Sequence, residues 1–200
     1  GQYVVSIKPK TSFGKNSAIS TKISYNIYNT LTKDKTIKYI VKDHQGYFKP
    51  LPHLDAHTSS APYKLDHSAQ WDEFMAPGGV YLESKPFLID GAWKISKGAS
   101  NNPVTVAVLD TGIEFNNNLT ASVLDSGWNF SANNNDMSDE TSSYHGTHVA
   151  GTIAANGTDV IGMAPEVKIL PVKIPRADGL FFESNVIKAI YWASGARLPN

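Results

Sequence analysis

The feature that most constrains the fold is a nearly continuous apolar run that ends abruptly at an acidic residue, Pro103–Asp110 (PVTVAVLD). A strand that is apolar on both faces belongs in a sheet that is covered on both sides. A second strand-like run, Val167–Ile174 (VKILPVKI), and two helix-like segments, His145–Ala155 and Ser184–Ser194, follow along the chain. This alternation predicts an α/β fold with a parallel sheet between layers of helices.

Composition excludes several function classes. The chain of 200 residues carries 18 basic and 18 acidic residues, a net charge of +0, and has no basic stripe that would bind nucleic acid. Its apolar runs fall far short of the roughly 18 residues that span a bilayer. Because cysteine is absent, disulfides, thiolate catalysis and cysteine-based zinc sites are excluded as well. We therefore expect no nucleic-acid partner and no membrane segment.

Residues 1–55 differ from the rest of the chain and predict a small β-α-β unit. Gln2–Lys8 and Thr36–Lys42 are rich in strand-forming residues, and apolar residues four apart between them favour a helix: Ile19, Ile23, Ile27 and Leu31. A unit of this size buries little core by itself. The proline- and histidine-containing stretch that follows predicts a linker, assigned to residues 56–70. His53 and His57 lie in or beside this loop composition, which does not offer the rigid frame that a metal site needs.

Asp110 lies where sites form in parallel sheets, at the carboxyl end of a strand. Thr111 and Gly112 follow it and allow a sharp turn. Two interpretations stay open at this point. The carboxylate caps the turn, a common role for aspartate before Thr-Gly, or it holds a histidine from a neighbouring element.

The segment Ser142–Gly157 (SSYHGTHVAGTIAANG) contains two histidines three residues apart, His145 and His148. A zinc site is disfavoured because the zinc-protease motif places histidines four apart with a glutamate between them. His148 suits a partly buried, hydrogen-bonded residue of a helix whose small residues pack close to the sheet: Gly146, Ala150, Gly151, Ala154 and Ala155. His145 begins the helix, where the helix dipole favours a neutral imidazole, the form that a general base needs.

Three segments in order, VAVLDTGIE, HGTHVAGTIAA and GMAPEVKILPVKI, resemble the subtilisin-like serine proteases, the subtilases. The resemblance covers roughly residues 62–200 and extends to QWDEF and GAWKISKGASNNP, which are similar to the secreted bacterial branch. It implies the N-terminal half of a subtilisin-like three-layer fold over residues 71–200, with 1–55 as a propeptide-like segment. It also implies that Asp110 and His145 are two members of an Asp-His-Ser triad and that His148 is structural.

The resemblance also indicates what this chain does not contain. No GTSMA-like serine segment and no strand with the oxyanion asparagine occur in it, so we expect a C-terminal fragment of the same protease to supply both. The function it implies is a secreted serine endopeptidase whose activity requires that fragment. The alternative is an inactive subtilase-like binding or inhibitory module.

The resemblance further implies a groove and accessory sites. A protein or peptide substrate would pair with the segment Pro175–Glu183, which gives Asp178, Gly179, Leu180 and Phe181 as substrate-binding residues. The last two, with Phe182, form an apolar wall, although simple packing explains them as well. No cofactor or catalytic metal is required. A structural calcium ion on Asp136, Asp139 or Glu140 is possible, and Asn118 stands where relatives often carry a calcium-binding aspartate.

Overall fold

The computed structural model describes residues 28–37, 40, 43–48, 70, 82, 91–98, 102–157 and 160–196, which fall into two compact units. The first unit comprises Gly1–His44 with Leu198–Asn200. Its described residues 28–31 are helical and include Leu31, the last position of the predicted helix. The rest of that helix, most of the two predicted strands and residues 56–69 of the predicted linker lie outside the described residues. The predicted boundaries at residues 55 and 70 stay predictions.

The second unit, Gln45–Arg197, contains the elements that matter for function. In chain order the described elements are β1 (Gln45–Tyr47), a 3-10 helix (Ala92–Lys94), β2 (Thr105–Asp110), β3 (Trp128–Asn129), α1 (His145–Ala154), β4 (Lys168–Lys173), β5 (Leu180–Phe182) and α2 (Glu183–Ala193). The two long strands and the two helices lie within a residue or two of the segments that their apolar patterns predict.

A parallel sheet forms the centre of this unit. β4 lies between β2 and β3 and runs parallel to both. In the pairing of β2 with β4, Val106 lies opposite Ile169 and Asp110 lies opposite Lys173. The carboxyl ends of both long strands therefore meet at one edge, as the sequence predicts. A separate antiparallel pair joins β1 to β5.

The sheet has a separate hydrophobic cluster on each face. Val108 and Ile169 pack on one face with Ala150 and Ala154 of α1. The next residues along the strands point the other way, so Leu109 and Leu170 belong to the second cluster, which includes Ala189 of α2. Alternation of side chains along a strand explains why one apolar run serves both faces. The result is the predicted helix–sheet–helix arrangement.

Small residues bring α1 close to the sheet edge at one position in particular. Gly146 lies against the backbone of Gly112. A Cβ atom added at Gly146 would lie only 3.1 Å from the Cβ atom of Asp110. Gly151 differs from the prediction, because no described atom lies within 4 Å of where its Cβ would be. This glycine therefore does not contribute to the close approach. No helix in the described part of the chain is long and apolar enough to span a membrane.

Replacing Ile169 tests the first cluster. Its side chain is 0% exposed, so Ile169→Ala should leave a cavity and lower the free energy of unfolding by about 2–5 kcal/mol. Urea denaturation followed by circular dichroism measures the change. Ile95→Ala is the matched control, because Ile95 is 89% exposed. Equal losses in the two variants would contradict the packing described here.

Candidate active site

Asp110 and His145 form a direct side-chain contact at the carboxyl edge of the sheet. Nδ1 of His145 lies 2.7 Å from Oδ1 of Asp110, the last residue of β2. The same carboxylate oxygen accepts a hydrogen bond of 2.7 Å from the backbone N–H of Thr111. The two interpretations of Asp110 are thus both realised, since one oxygen caps the turn and also holds the histidine.

This contact determines which nitrogen of the imidazole is available for chemistry. A carboxylate only accepts hydrogen bonds, so Nδ1 of His145 carries the proton that lies between the two groups. In the neutral ring the lone pair is then on Nε2. The Asp110 side chain is 10% exposed and that of His145 is 27% exposed, so the acid is buried while the base reaches the surface. Such a pair can accept a proton at Nε2 from a bound hydroxyl.

Helix α1 begins at His145, as the sequence predicts. The residue before it, Tyr144, has a left-handed backbone with φ 47° and ψ 39°, and its side chain does not cap the helix. A non-glycine residue rarely adopts this conformation. The backbone therefore turns sharply just before His145.

A buried carboxylate, Asp139, connects the turn after β2 with the first turn of α1. Its two oxygens accept five hydrogen bonds, from the hydroxyls of Thr111, Thr141 and Thr147 and from the backbone N–H groups of Thr141 and Thr147. Thr111 in turn accepts a bond of 2.8 Å from the N–H of Gly146. Asp139 thus satisfies the N–H of Thr147, which Tyr144 leaves uncapped, and it holds Thr111, whose hydroxyl oxygen accepts from the N–H of Gly146.

Lys173 adds a buried positive charge to the same edge. Only 1% of this residue is exposed. Its Nζ donates hydrogen bonds of 2.6 Å to the carbonyl oxygen of Ser138 and 2.8 Å to Oε2 of Glu140. A buried ammonium group is tolerated only when it is paired and hydrogen-bonded, as here. Lys173 therefore attaches the loop that carries Asp139 to the end of β4.

The prediction that His148 is partly buried is wrong, because this residue is exposed. On α1 the buried positions are Gly146, Ala150 and Ala154, and His148 lies two residues from the first two of these, on the opposite side of the helix. The two histidines therefore have different surroundings. Among the described residues no group of three histidine, aspartate or glutamate side chains could hold a metal ion.

The predicted substrate-binding residues lie in and beside β5. Gly179 has φ +80°, and its carbonyl oxygen accepts a hydrogen bond of 3.1 Å from the N–H of Phe48. Leu180 and Phe181 lie within β5 and pair with β1. Asp178 instead serves the local turn, where it accepts a hydrogen bond from the N–H of Leu180 and forms an exposed ion pair with Arg176. The structure thus brings three of the four to the strand that pairs with residues 45–48.

The three carboxylates considered for calcium are all in contact with protein donors. Asp136 accepts hydrogen bonds from the hydroxyl and the N–H of Ser138. Asp139 and Glu140 are engaged as described above. A calcium ion at this loop would have to compete with those donors, so the residues do not fit a calcium site as they stand, and calcium binding stays a prediction.

Sequence reasoning missed the roles of Thr111, Asp139 and Lys173. Thr111 was assigned to the turn and Asp139 to a possible calcium site, whereas both belong to one hydrogen-bond network. A signal for Lys173 did exist, because a lysine within the apolar run Val167–Ile174 has to be either exposed or paired. No signal in the sequence points to the contact of Phe48 with His145, whose ring centroids are 5.8 Å apart.

Comparison with known proteins adds independent findings. The family profile described as "Subtilase family" matches residues 101–200. The chain is 37% identical over 116 residues to the thermophilic serine proteinase of Bacillus sp. (strain AK1). These residues make up 56% of this chain and 28% of that protein. It is 28% identical over 188 residues to subtilisin E of Bacillus subtilis (strain 168). This match covers 93% of this chain and 41% of the relative.

A solved structure is similar as well. It is described as a protease from Pseudoalteromonas arctica PAMC 21717, with a TM-score of 0.55 and 30% identity over 66% of this chain and 44% of that one. The chain therefore spans well under two thirds of the proteins that it matches, from 28% of one relative to 41% of the other.

Replacing Asp139 tests its role at the start of the helix. Asp139→Asn keeps the shape but turns an amide NH₂ toward groups that are themselves donors, so about 1–3 kcal/mol of stability should be lost. The exposed Asp125 provides the control variant, Asp125→Asn, which should change little. Thermal unfolding monitored by circular dichroism gives both values, and unfolding of the two variants at the same temperature would refute the network.

Asp136 offers a test by pH. The hydroxyl and then the N–H of Ser138 donate to its carboxylate and lower the pKa of Asp136 below its ordinary range. The small stabilisation from these bonds is thus present at neutral pH and is lost as the pH falls through the lowered pKa. An NMR titration of the side-chain carbon measures this pKa. The Ser138→Ala variant should raise it toward the ordinary value, and an unchanged pKa would contradict the assignment.

Proposed function

Because this chain belongs to the subtilase family, we propose that it forms the N-terminal part of a serine endopeptidase and supplies the acid and the base of its triad. The single observation that carries the proposal is the contact of 2.7 Å between Nδ1 of His145 and Oδ1 of Asp110. The serine nucleophile and the oxyanion asparagine would come from a C-terminal fragment of the same protease.

In this proposal His145 acts as general base and then as general acid. Nε2 removes the proton from the serine hydroxyl as its oxygen attacks the peptide carbonyl carbon. Asp110 remains ionised, holds the tautomer and stabilises the imidazolium that forms. The imidazolium then gives the proton to the leaving amine, and an acyl-enzyme remains. Water next attacks the acyl carbon while His145 takes its proton, and His145 then gives that proton to the serine oxygen as it leaves. The buried position of Asp110 and the surface position of His145 suit these roles.

The groove of the proposed protease would bind peptides by strand addition to β5. Residues 45–48 support this mode, because they pair antiparallel with β5 and bring the Phe48 ring beside the His145 ring. A peptide substrate would replace them, and an apolar side chain at the position of Phe48 would contact the Phe181 ring on the acyl side. We infer that the form described here is a precursor in which the chain's own N-terminal segment fills the groove. Extracellular relatives such as the minor extracellular protease Vpr support secretion.

A serine-directed fluorophosphonate tests the proposal on the full-length protein that contains this chain. We expect the probe to label a serine outside residues 1–200 once residues 45–48 have been released. His145→Ala should abolish labelling, since loss of a triad member lowers the rate by about a millionfold. His148→Ala is the control and should retain labelling, because His148 is exposed and its ring lies on the other side of α1.

The alternative function, an inactive binding or inhibitory module, rests on the same groove without the chemistry. Absence of labelling in the wild-type protein, together with a circular dichroism spectrum typical of a folded protein, would favour this alternative. Labelling that survives in His145→Ala would reject His145 as the base.

A further inference from the structure

The pairing of β1 with β5 places a glycine directly opposite an aromatic ring. Gly46 lies opposite Phe181 in the register of the two strands. A Cβ atom at residue 46 would lie 2.8 Å from Cε1 and 3.0 Å from Cε2 of Phe181, and it would be closer still to Cζ. Carbon atoms do not approach this closely without a shift of one partner, because dispersion contacts have their optimum near 3.5–4.0 Å. Space for a side chain at residue 46 is therefore closed by Phe181.

Moving the Phe181 ring aside would disturb contacts on two sides. One side packs on the cluster of Val172, Ile174 and Ala189, on the face of the sheet that α2 covers. The other side meets the Phe48 ring, with the centroids 5.3 Å apart and the planes inclined by 58°. Aromatic pairs at this separation contribute beyond the area that they bury. A side chain larger than hydrogen at residue 46 would have to break one of these contacts.

Phe48 follows β1 directly and continues its pairing, so that, two residues on from Gly46, it lies on the same side of this segment. Its ring lies between Phe181 and His145, and its N–H donates to the carbonyl oxygen of Gly179 at 3.1 Å. That hydrogen bond fixes the register of the bound strand relative to the base. Tyr47, between the two, points to the other face and is 67% exposed.

From these contacts we propose that Phe181 determines specificity: it requires glycine opposite itself in the bound peptide and favours an aromatic residue two positions later, next to His145. The substrates would be peptides with the sequence glycine, any residue, aromatic residue, as in Gly46–Phe48 of the chain itself. This inference rests on the proposed function, because it takes residues 45–48 as occupying the substrate position.

Competition by peptides tests the specificity in the full-length protein after release of residues 45–48. Hydrolysis of casein is measured in the presence of a peptide with the sequence of residues 43–51 (DHQGYFKPL). Valine in place of the glycine should weaken inhibition by about tenfold or more, because a closed hydrophobic site discriminates by at least this factor per added group. Valine in place of the tyrosine is the control and should change inhibition little. Phe181→Ala should remove the discrimination, and equal inhibition by the glycine and valine peptides would overturn the proposal.

A second measurement does not depend on activity. In the intact protein, Gly46→Val should weaken the pairing and speed hydrogen exchange at the N–H of Phe48, whereas Tyr47→Val should not. Combining Gly46→Val with Phe181→Ala should slow the exchange again. Absence of fluorophosphonate labelling would overturn the proposed protease function, while the exchange experiment still decides the steric requirement. An exchange rate that Gly46→Val leaves unchanged would overturn the role of Phe181.

Discussion

The site depends on one buried carboxylate that is not itself a member of the Asp110–His145 pair. Asp139 accepts hydrogen bonds from Thr111, which follows Asp110, and from Thr147, which lies one turn into α1. Without it the end of β2 and the start of α1 would meet with several donors unsatisfied, each costing about 1–3 kcal/mol. Because both elements donate to the same carboxylate oxygen, Oδ2 of Asp139, the distance between Asp110 and His145 follows from the fold.

A buried positive charge, Lys173, connects the loop that carries this carboxylate to the sheet. Lys173 lies opposite Asp110 in the sheet register but directs its ammonium group to Ser138 and Glu140. The loop between β3 and α1 is thereby attached to the sheet at one point and to the helix at another. Gly112, with φ +119°, permits this loop to lie flush against the turn, since a Cβ there would meet the carbonyl oxygens of Met137 and Ser138.

Much of the framework could be predicted from the sequence, because it follows from periodic patterns. The apolar runs predict the two long parallel strands. The small residues before and after Val149 predict α1, including its first residue, His145. The prediction for His148 is wrong because it leaves out the position of this residue relative to the small residues: Gly146 and Ala150 are four apart, and a residue midway between them lies on the other side of the helix. The network of Asp139 and the pairing of β1 with β5 join residues far apart in the chain, and no local pattern reports such contacts.

How long residues 45–48 stay paired with β5 depends on whether they remain covalently joined to the rest of the domain. A strand of three residues that contains a glycine binds weakly as a free peptide, since glycine loses the most backbone freedom on ordering. While covalently joined to the domain, however, it experiences an effective local concentration of about millimolar magnitude. Cutting the chain on its C-terminal side would convert the same contact into an ordinary bimolecular one, whose occupancy falls with dilution. In the proposed precursor, breaking one peptide bond would thus allow the groove to empty without any change in the contacts that fill it.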